Sequence, residues 1–336
     1  MNRIIECVPN FSEGRNQKTI AAIAAAIKSV HGVKLLHQDS GKAANRTVYT
    51  FAGELEAVFE AAFMAIKVAS ELIDMRVHKG EHPRIGACDV CPFVPISGIE
   101  VEQLTTYVEE FANSIHQEFN IPIFYYEYSA KTEKRKNLGN HRIGNYEGLE
   151  QRMKSGKWLA DLGKTFNAKN GGCVIGARHF LVAYNINLKT KDANIAQEIA
   201  YDLRTLGRPV KKEGEKTIYI PGKLKAVKAI GWYIEDFRIA QVSINLIDFN
   251  TTSLGQVYDS TKEIAANYSV ELSGSELIGL IPLKAILAAG RHYHHKPANA
   301  TDEELIESAI KGLGLNDLKS FNPQQRILEY VLAGNN

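Results

Sequence analysis

Cysteine is scarce in this chain of 336 residues, with four in all, so no disulfide framework carries the fold and a reducing compartment is expected. Long apolar runs are missing. No stretch approaches the roughly 18 residues a membrane helix needs, which predicts a soluble protein with no membrane partner. The opening MNRIIECVPNFSEG meets a proline and polar side chains before a signal-peptide core can form, so a cytoplasmic location is expected. Charge of one sign is lacking as well: 40 Lys and Arg against 38 Asp and Glu leave +2, which argues against nucleic acid as a partner. The 10 prolines and 26 glycines form no biased tract, so no long disordered segment is predicted.

What is present is an ordinary globular mixture, 45% hydrophobic and 23% charged, long enough for two packed cores. Apolar alternation predicts a strand near Arg3 to Val8, and Ser12, Glu13 and Gly14 introduce a helix from about Asn16 to Val30. VKLLHQDS (33–40) and RTVYTFAG (46–53) read as strands, and 54–75 as a buried helix. After the HKGEHPRIG loop come a strand (89–97), a helix (101–119) and a strand (121–129). The second half repeats the order with a strand at 176–188, a helix at 192–207, strands at 226–236 and 238–248, a helix at 253–268 and a strand at 269–281. Two helices close the chain. The fold class expected is α+β, two ferredoxin-like βαββαβ subdomains, each a mixed or antiparallel sheet packed with helices, divided as 1–178 and 179–336.

HKGEH (78–82) has the H-x-x-E-H spelling of a zinc peptidase. That reading needs His78 and His82 one helical turn apart. Gly80 costs a helix about 1 kcal/mol, and Pro83 disfavours helical backbone at His82, so a loop is predicted and the metal reading weakens. A histidine fixed in a stiff, glycine-bounded loop suits general acid/base work, because imidazole both takes and gives a proton near neutrality.

Other motifs point less far. CDVC (88–91) has neither a helix N-terminus nor a second cysteine pair, so buried packing thiols are expected. DLGKT (161–165) resembles the end of a phosphate loop, but Trp158 stands where the earlier glycine belongs. The glycine-bounded loop from Gly163 to Gly172 remains a place for a flat ligand. HYHH (292–295) reads as a cluster at a helix end. The basic stretches 131–142 and 204–228 are either solvated faces or a funnel for an anionic small molecule. Asp39, Arg46 and Arg84 lie at strand ends or in loops. With His82 they would form a site for moving a group onto an amino acid: arginine's fork holds carboxylates, and an aspartate orients a histidine or receives an amine.

The blocks ECVPNFSEG (6–14), NRTVYTFAG (45–53), LIDMRVHKGEHPRIGACDVCPFVP (72–95), GARHFLVAYNINL (176–188) and IGWYIED (230–236) resemble the formiminotransferase family. The resemblance runs over nearly the whole chain. It implies two βαββαβ subdomains in a homodimer, with transfer of a formimino group between N-formimino-L-glutamate and tetrahydrofolate in histidine degradation. Tetrahydrofolate would be a co-substrate, and no metal would be needed. The family's catalytic histidine falls on His82. Its folate loop falls on Gly163, Lys164, Thr165, Phe166, Asn167, Ala168, Lys169, Asn170, Gly171 and Gly172. KTFNAKN (164–170) stands in that loop where the family pattern carries serines, a proline and a tryptophan. Arg46 and Arg84 are expected at the glutamate carboxylates, and Asp39 beside His82 or the amine. The basic stretch 204–228 is expected to guide the folate's glutamyl tail. The chain stops soon after LEYVLAG (328–334), so a separate cyclodeaminase is the expected partner. Formyl transfer on the same fold, a non-catalytic folate carrier and a zinc hydrolase are the rivals.

Overall fold

The computed structural model describes residues 3–210, 217–235 and 237–334. The chain divides into two compact units, one ending at His179 and one starting at Phe180.

In the first unit, β1 (Ile4–Cys7) and β2 (Asn10–Phe11) are two pieces of one path, interrupted at Val8 and Pro9. Proline lacks the N–H that a central strand donates, which accounts for the break. Then follow α1 (Gln17–Lys28), the hairpin β3 (Val33–Gly41) and β4 (Arg46–Glu54), α2 (Leu55–Leu72), β5 (Cys88–Ser97), α3 (Val101–Phe119) and β6 (Ile123–Tyr125). Short helices α4 (Glu133–Lys136) and α5 (Leu138–His141) lead to α6 (Asn145–Lys154) and β7 (Cys173–Ala177). The strands lie as β3, β4, the β1/β2 path, β5, β7 and β6. The first of these pair antiparallel, while β5, β7 and β6 run parallel.

Helix α1 starts at Asn16, whose side chain accepts from Lys18 N and Thr19 N. Ser12, expected to introduce that helix, instead donates to Gly86 O at 2.7 Å and so ties the first loop to the HPRIG segment. Helix α3 buries Val101, Leu104, Val108, Phe111 and Ile115, the stripe its spacing predicts. Phe111 meets Phe93 of β5 and Phe59 of α2 at 5.1 and 5.4 Å, and such ring pairs contribute about 0.5–1.5 kcal/mol each beyond the area they bury.

The second unit runs β8 (Val182–Leu188), α7 (Ala193–Leu203), the ribbon β9 (Arg208–Val210) and β10 (Ile218–Ile220), β11 (Val227–Ile234), β12 (Ile239–Leu246), α8 (Leu254–Ala266) and β13 (Leu272–Ile278). Helices α9 (Leu283–Tyr293), α10 (Asp302–Leu313), α11 (Pro323–Arg326) and α12 (Leu328–Gly334) complete it. Its sheet order is β11, β12, β8, β13, all antiparallel. Tyr184, Ile186, Leu188, Val242 and Ile244 face the helices in one core. In both units, the four strands of the β-α-β-β-α-β run stand in the order second, third, first, fourth.

Three expectations change. The single strand read over 176–188 is two: β7 closes the first unit's sheet and β8 opens the second's, with the chain crossing at Arg178 to Leu181. The strand read over 121–129 stops at Tyr125, because Glu127 turns into the left-handed region at φ +50°. The basic stretch 131–142 carries helices α4 and α5, and four of its cations are paired: Lys131 with Glu109, Arg135 with Asp161, Lys136 with Glu133 and Arg142 with Asp89. Of the basic stretch 204–228, residues 211–216 lie outside the described residues, as does Asp236 of the strand read over 226–236.

Candidate active site

The turn between β3 and β4 sets the loop that carries HKGEH. Asn45 has φ +47°, a left-handed conformation that asparagine adopts more readily than most residues. Its Oδ1 accepts from Gly14 N at 3.0 Å, its Nδ2 donates to Lys79 O at 2.8 Å, and its carbonyl lies 2.9 Å from His78 Nε2. One residue thereby joins the VPNFSEG block, the turn and the HKGEH loop. At Gly80 a Cβ would sit 2.3 Å from Ala44 O, so the two loops approach closely only because glycine is there.

Arg46, the next residue, places Nη1 2.9 Å from His82 Nδ1 and 2.8 Å from His82 Nε2. His82 Nδ1 also lies 2.7 Å from the Pro83 carbonyl. A carbonyl only accepts, so the Pro83 contact assigns the ring proton to Nδ1, while Arg46 Nη1, almost equidistant from the two ring nitrogens, packs against the imidazole. Burial lowers the His82 pKa well below its ordinary value. The Arg46 and Arg142 guanidiniums push the same way, and the Pro83 carbonyl opposes them. The imidazole is therefore neutral near pH 7, the form a general base needs. Arg46 is itself lowered to about 10, by burial first and then by Arg142, with Asp89 and Asp39 opposing.

Asp39 sits opposite Val48 and acts on Arg46 through its charge. Arg46 and the Pro83 carbonyl are in contact with His82, and Asp39 bears on that pair through the charge it sets beside Arg46. Arg84 has a different occupation from the one expected. It is buried, with Nη1 and Nη2 donating to the two oxygens of Glu147 at 2.9 and 2.7 Å, and Nε donating to His78 Nδ1 at 3.2 Å. All three nitrogens are engaged, so Arg84 pins the loop rather than offering a fork to a carboxylate. Glu147 is held down to about 2 by those Arg84 hydrogen bonds.

Asp89 and Arg142 went unread in the sequence. Asp89 is fully buried in β5; one oxygen accepts from Ile85 N at 2.8 Å, and the other accepts from Arg142 Nε at 3.0 Å and from Arg142 Nη2. A charged residue in the apolar run CDVCPFVP was the available signal for Asp89. Nothing local marked Arg142.

The glycine-bounded loop comes against the same segment. Gly86 bridges to Gly171, Ala87 N donates to Asn170 O at 2.8 Å, and Gly172 N donates to Ile85 O at 3.0 Å. A Cβ on Gly86 would lie 2.1 Å from Gly172 O. Within the loop, Lys164 and Thr165 are exposed, Phe166 packs 5.6 Å from the Tyr146 ring, and Tyr146 Oη donates to Ala168 O at 2.6 Å. Asn167 Oδ1 accepts from Asn170 N at 2.9 Å, and Lys169 Nζ donates to Glu71 O at 2.9 Å. Asn170 is buried and its Oδ1 has no partner. Beside the His82 loop lies an open cleft of about 440 Å³ whose walls include Arg15, Lys79, Glu81, Arg84 and Glu147.

His78 and His82 have separate partners and share no helix. Among the described residues, no three His, Cys, Asp or Glu side chains are placed to hold a metal ion. The cysteines of CDVC are buried in β5, and Cys91 Sγ lies 3.6 Å from Cys7 Sγ. The HYHH run ends α9, where His292 and Tyr293 both bond Asp259.

The chain matches two family models: the formiminotransferase domain, N-terminal subdomain, over residues 4–178, and the formiminotransferase domain over 183–333. The chain belongs to the formiminotransferase family. It is 40% identical over 93% of its length to the glutamate formimidoyltransferase of Streptococcus pyogenes serotype M1, all of which it covers. It is 36% identical over 86% of its length to that of Thermoplasma acidophilum, covering 92% of it. Against the formimidoyltransferase-cyclodeaminase of Rattus norvegicus it is 43% identical over 99% of its own length. It spans 60% of that relative, about three fifths of the bifunctional proteins it resembles. The site geometry lies in the part of the chain matched by the N-terminal subdomain model.

Proposed function

We propose that this chain is a glutamate formimidoyltransferase, moving a formimino group between N-formimino-L-glutamate and tetrahydrofolate in histidine degradation. The observation that carries the chemistry is a histidine fixed in a loop by the Arg46 guanidinium and the Pro83 carbonyl, in a chain similar over its length to proteins of that name.

In this reading His82 is the proton carrier. It takes the proton from the attacking secondary amine as a new C–N bond forms to the amidine carbon. It then gives that proton to the glutamate nitrogen as the old C–N bond breaks. One bond forms, one breaks and one proton crosses, so no redox partner is needed. Such proton transfer contributes on the order of 10²–10⁴ in rate. Arg46 receives a glutamate carboxylate, and Arg142, held by Asp89, adds a second positive charge beside it. Tetrahydrofolate supplies the attacking amine. The loop Gly163–Gly172 suits its flat ring, and the unpartnered buried Oδ1 of Asn170 is an acceptor that a ring N–H would satisfy.

The same reading takes both units as ferredoxin-like, divided at 178/179, in a cytoplasmic homodimer. A cyclodeaminase, named in the bifunctional relatives, is the proposed partner for the product.

The test supplies purified protein and tetrahydrofolate with N-formimino-L-glutamate or N-formyl-L-glutamate in parallel and measures glutamate release. Faster release from the formimino donor is expected. Equal or faster release from the formyl donor would move the substrate to formyl. Tight tetrahydrofolate binding with no release from either would leave a carrier.

A further inference from the structure

We infer that Glu81 and Arg15 form a donor subsite that tells a formimino group from a formyl group: Glu81 pairs with the cationic amidine, and Arg15 holds a carboxylate of the same molecule. The inference rests on the formimino-transfer reading for the identity of that donor.

The turn between β3 and β4 brings the two residues together. Lys42 O accepts from Arg15 Nε at 2.9 Å, and the next carbonyl, Ala43 O, accepts from Glu81 N at 3.2 Å. Both residues then wall the cleft of about 440 Å³ beside the His82 loop, a volume in the range of small-molecule sites.

The other charges on those walls are paired with one another. Arg84 donates to both oxygens of Glu147, and Lys79 Nζ lies 3.6 Å from the same carboxylate. Arg15 commits only Nε of its side chain, to Lys42 O, so its Nη1 and Nη2 have no acceptor among the described residues. The Glu81 carboxylate has no donor among them either. The cleft therefore offers one guanidinium fork and one carboxylate, opposite in sign and not spent on each other.

A formimino-amino acid matches both. Its amidine is a strong base that carries a proton near pH 7, and the N–H groups of the resulting cation meet a carboxylate in charge-assisted hydrogen bonds. Its own carboxylate presents two oxygens to the fork of a guanidinium. The formyl analogue has a neutral amide in place of the amidinium, and its carbonyl oxygen, an acceptor, meets the acceptor-only oxygens of Glu81. Discrimination between the donors thus comes from Glu81, and affinity for both comes from Arg15. Pairing with Glu81 also keeps the amidine protonated, the form whose carbon is the better electrophile.

The experiment titrates N-formimino-L-glutamate and N-formyl-L-glutamate separately into the protein by calorimetry, without tetrahydrofolate. Wild type is expected to bind the formimino compound tighter by roughly 10-fold, the low end for a hydrogen bond to a charged group because the cleft is open to water. Glu81→Gln is expected to weaken the formimino compound alone and abolish the preference, while Arg15→Gln weakens both compounds alike. Both side chains are exposed, so the variants keep the fold. A preference that survives Glu81→Gln, or that wild type lacks, overturns the role of Glu81; an Arg15→Gln protein that binds both compounds as wild type does overturns that of Arg15. Glutamate release on the same proteins keeps the reaction separate. Formimino-selective release that Glu81→Gln leaves intact overturns the subsite and leaves formimino transfer standing. Wild-type release no faster from the formimino donor overturns formimino transfer, and the binding preference then decides the subsite by itself.

Discussion

The two units order the strands of their β-α-β-β-α-β run in the same way but fill their interiors differently. Among the described residues, the buried Asp, Glu, His and Arg side chains, namely Glu6, His78, Arg84, Asp89, His141 and Arg178, all lie in the first unit. The second unit buries amides and hydroxyls instead, with Asn185, Asn187 and Gln241 in a row on the sheet face away from its helices. Removing charge from water costs several kcal/mol per group unless it is paired, so identical strand order does not explain the difference. Three of these groups, His78, Arg84 and Asp89, stand in the candidate site, and the fold supplies the frame.

The largest effect expected tests that assignment directly. His82→Ala should lower transferase turnover by on the order of 10²–10⁴ while leaving the circular dichroism spectrum unchanged. A folded variant with full turnover would remove the first unit's claim to the chemistry.

Next comes the cost of breaking each interior. Asp89→Ala leaves the Arg142 guanidinium and the Ile85 amide without their buried acceptor. A broken buried pair costs about 3–5 kcal/mol, so denaturant melts should show a loss of that order. Gln241→Leu in the second unit removes amide bonds to Asn187 at 2.7 Å and to Glu276 at 3.1 Å, and about 1–2 kcal/mol is expected. Equal losses in the two variants would erase the distinction between the interiors.

Acid should act on the first unit before the second. His141 is buried, with Trp158 Nε1 donating to its Nδ1 at 3.3 Å and its own Nε2 donating to Arg135 O at 2.8 Å, and burial lowers it to about 4 from 6.5. The unfolded ring takes a proton near 6.5 that the folded ring refuses until about 4. Its stabilisation is thus complete above pH 6.5 and lost as pH falls through that window, about 3 kcal/mol in all. The second unit's His292, His294 and His295 are not buried, so amide exchange measured at pH 4.5 should rise first in the first unit.

How much of this was legible depended on range. Helices α2 and α3 announce themselves through long apolar periodicity, and Gly80 with Pro83 excludes a helix at HKGEH from four neighbouring letters. The break between β7 and β8 is invisible because both are apolar and only their partners, in different sheets, separate them. Helices α4 and α5 are each a single turn and carry no period to detect. Arg142 meets Asp89 across 53 residues, so no local pattern records that its charge reaches His82. Arg84 misled for the opposite reason: it adjoins the histidine in sequence, yet its side chain turns to Glu147.

The smallest effect is a control on the frame itself. Helix α10 begins with a capping box in which Thr301 Oγ1 accepts from Glu304 N at 3.3 Å and Glu304 Oε2 accepts from Thr301 N at 2.8 Å. Thr301→Ala strips one of these bonds and loosens the other, which costs a helix about 1 kcal/mol. The helix stays folded because Leu305, Ile306, Ala309 and Leu313 anchor it in the second core. Thermal unfolding should therefore shift by a few degrees at most, while turnover and the His82 titration stay at wild-type values. A cap substitution that did lower turnover would mean the second unit contributes more to the chemistry than its amide-lined interior suggests.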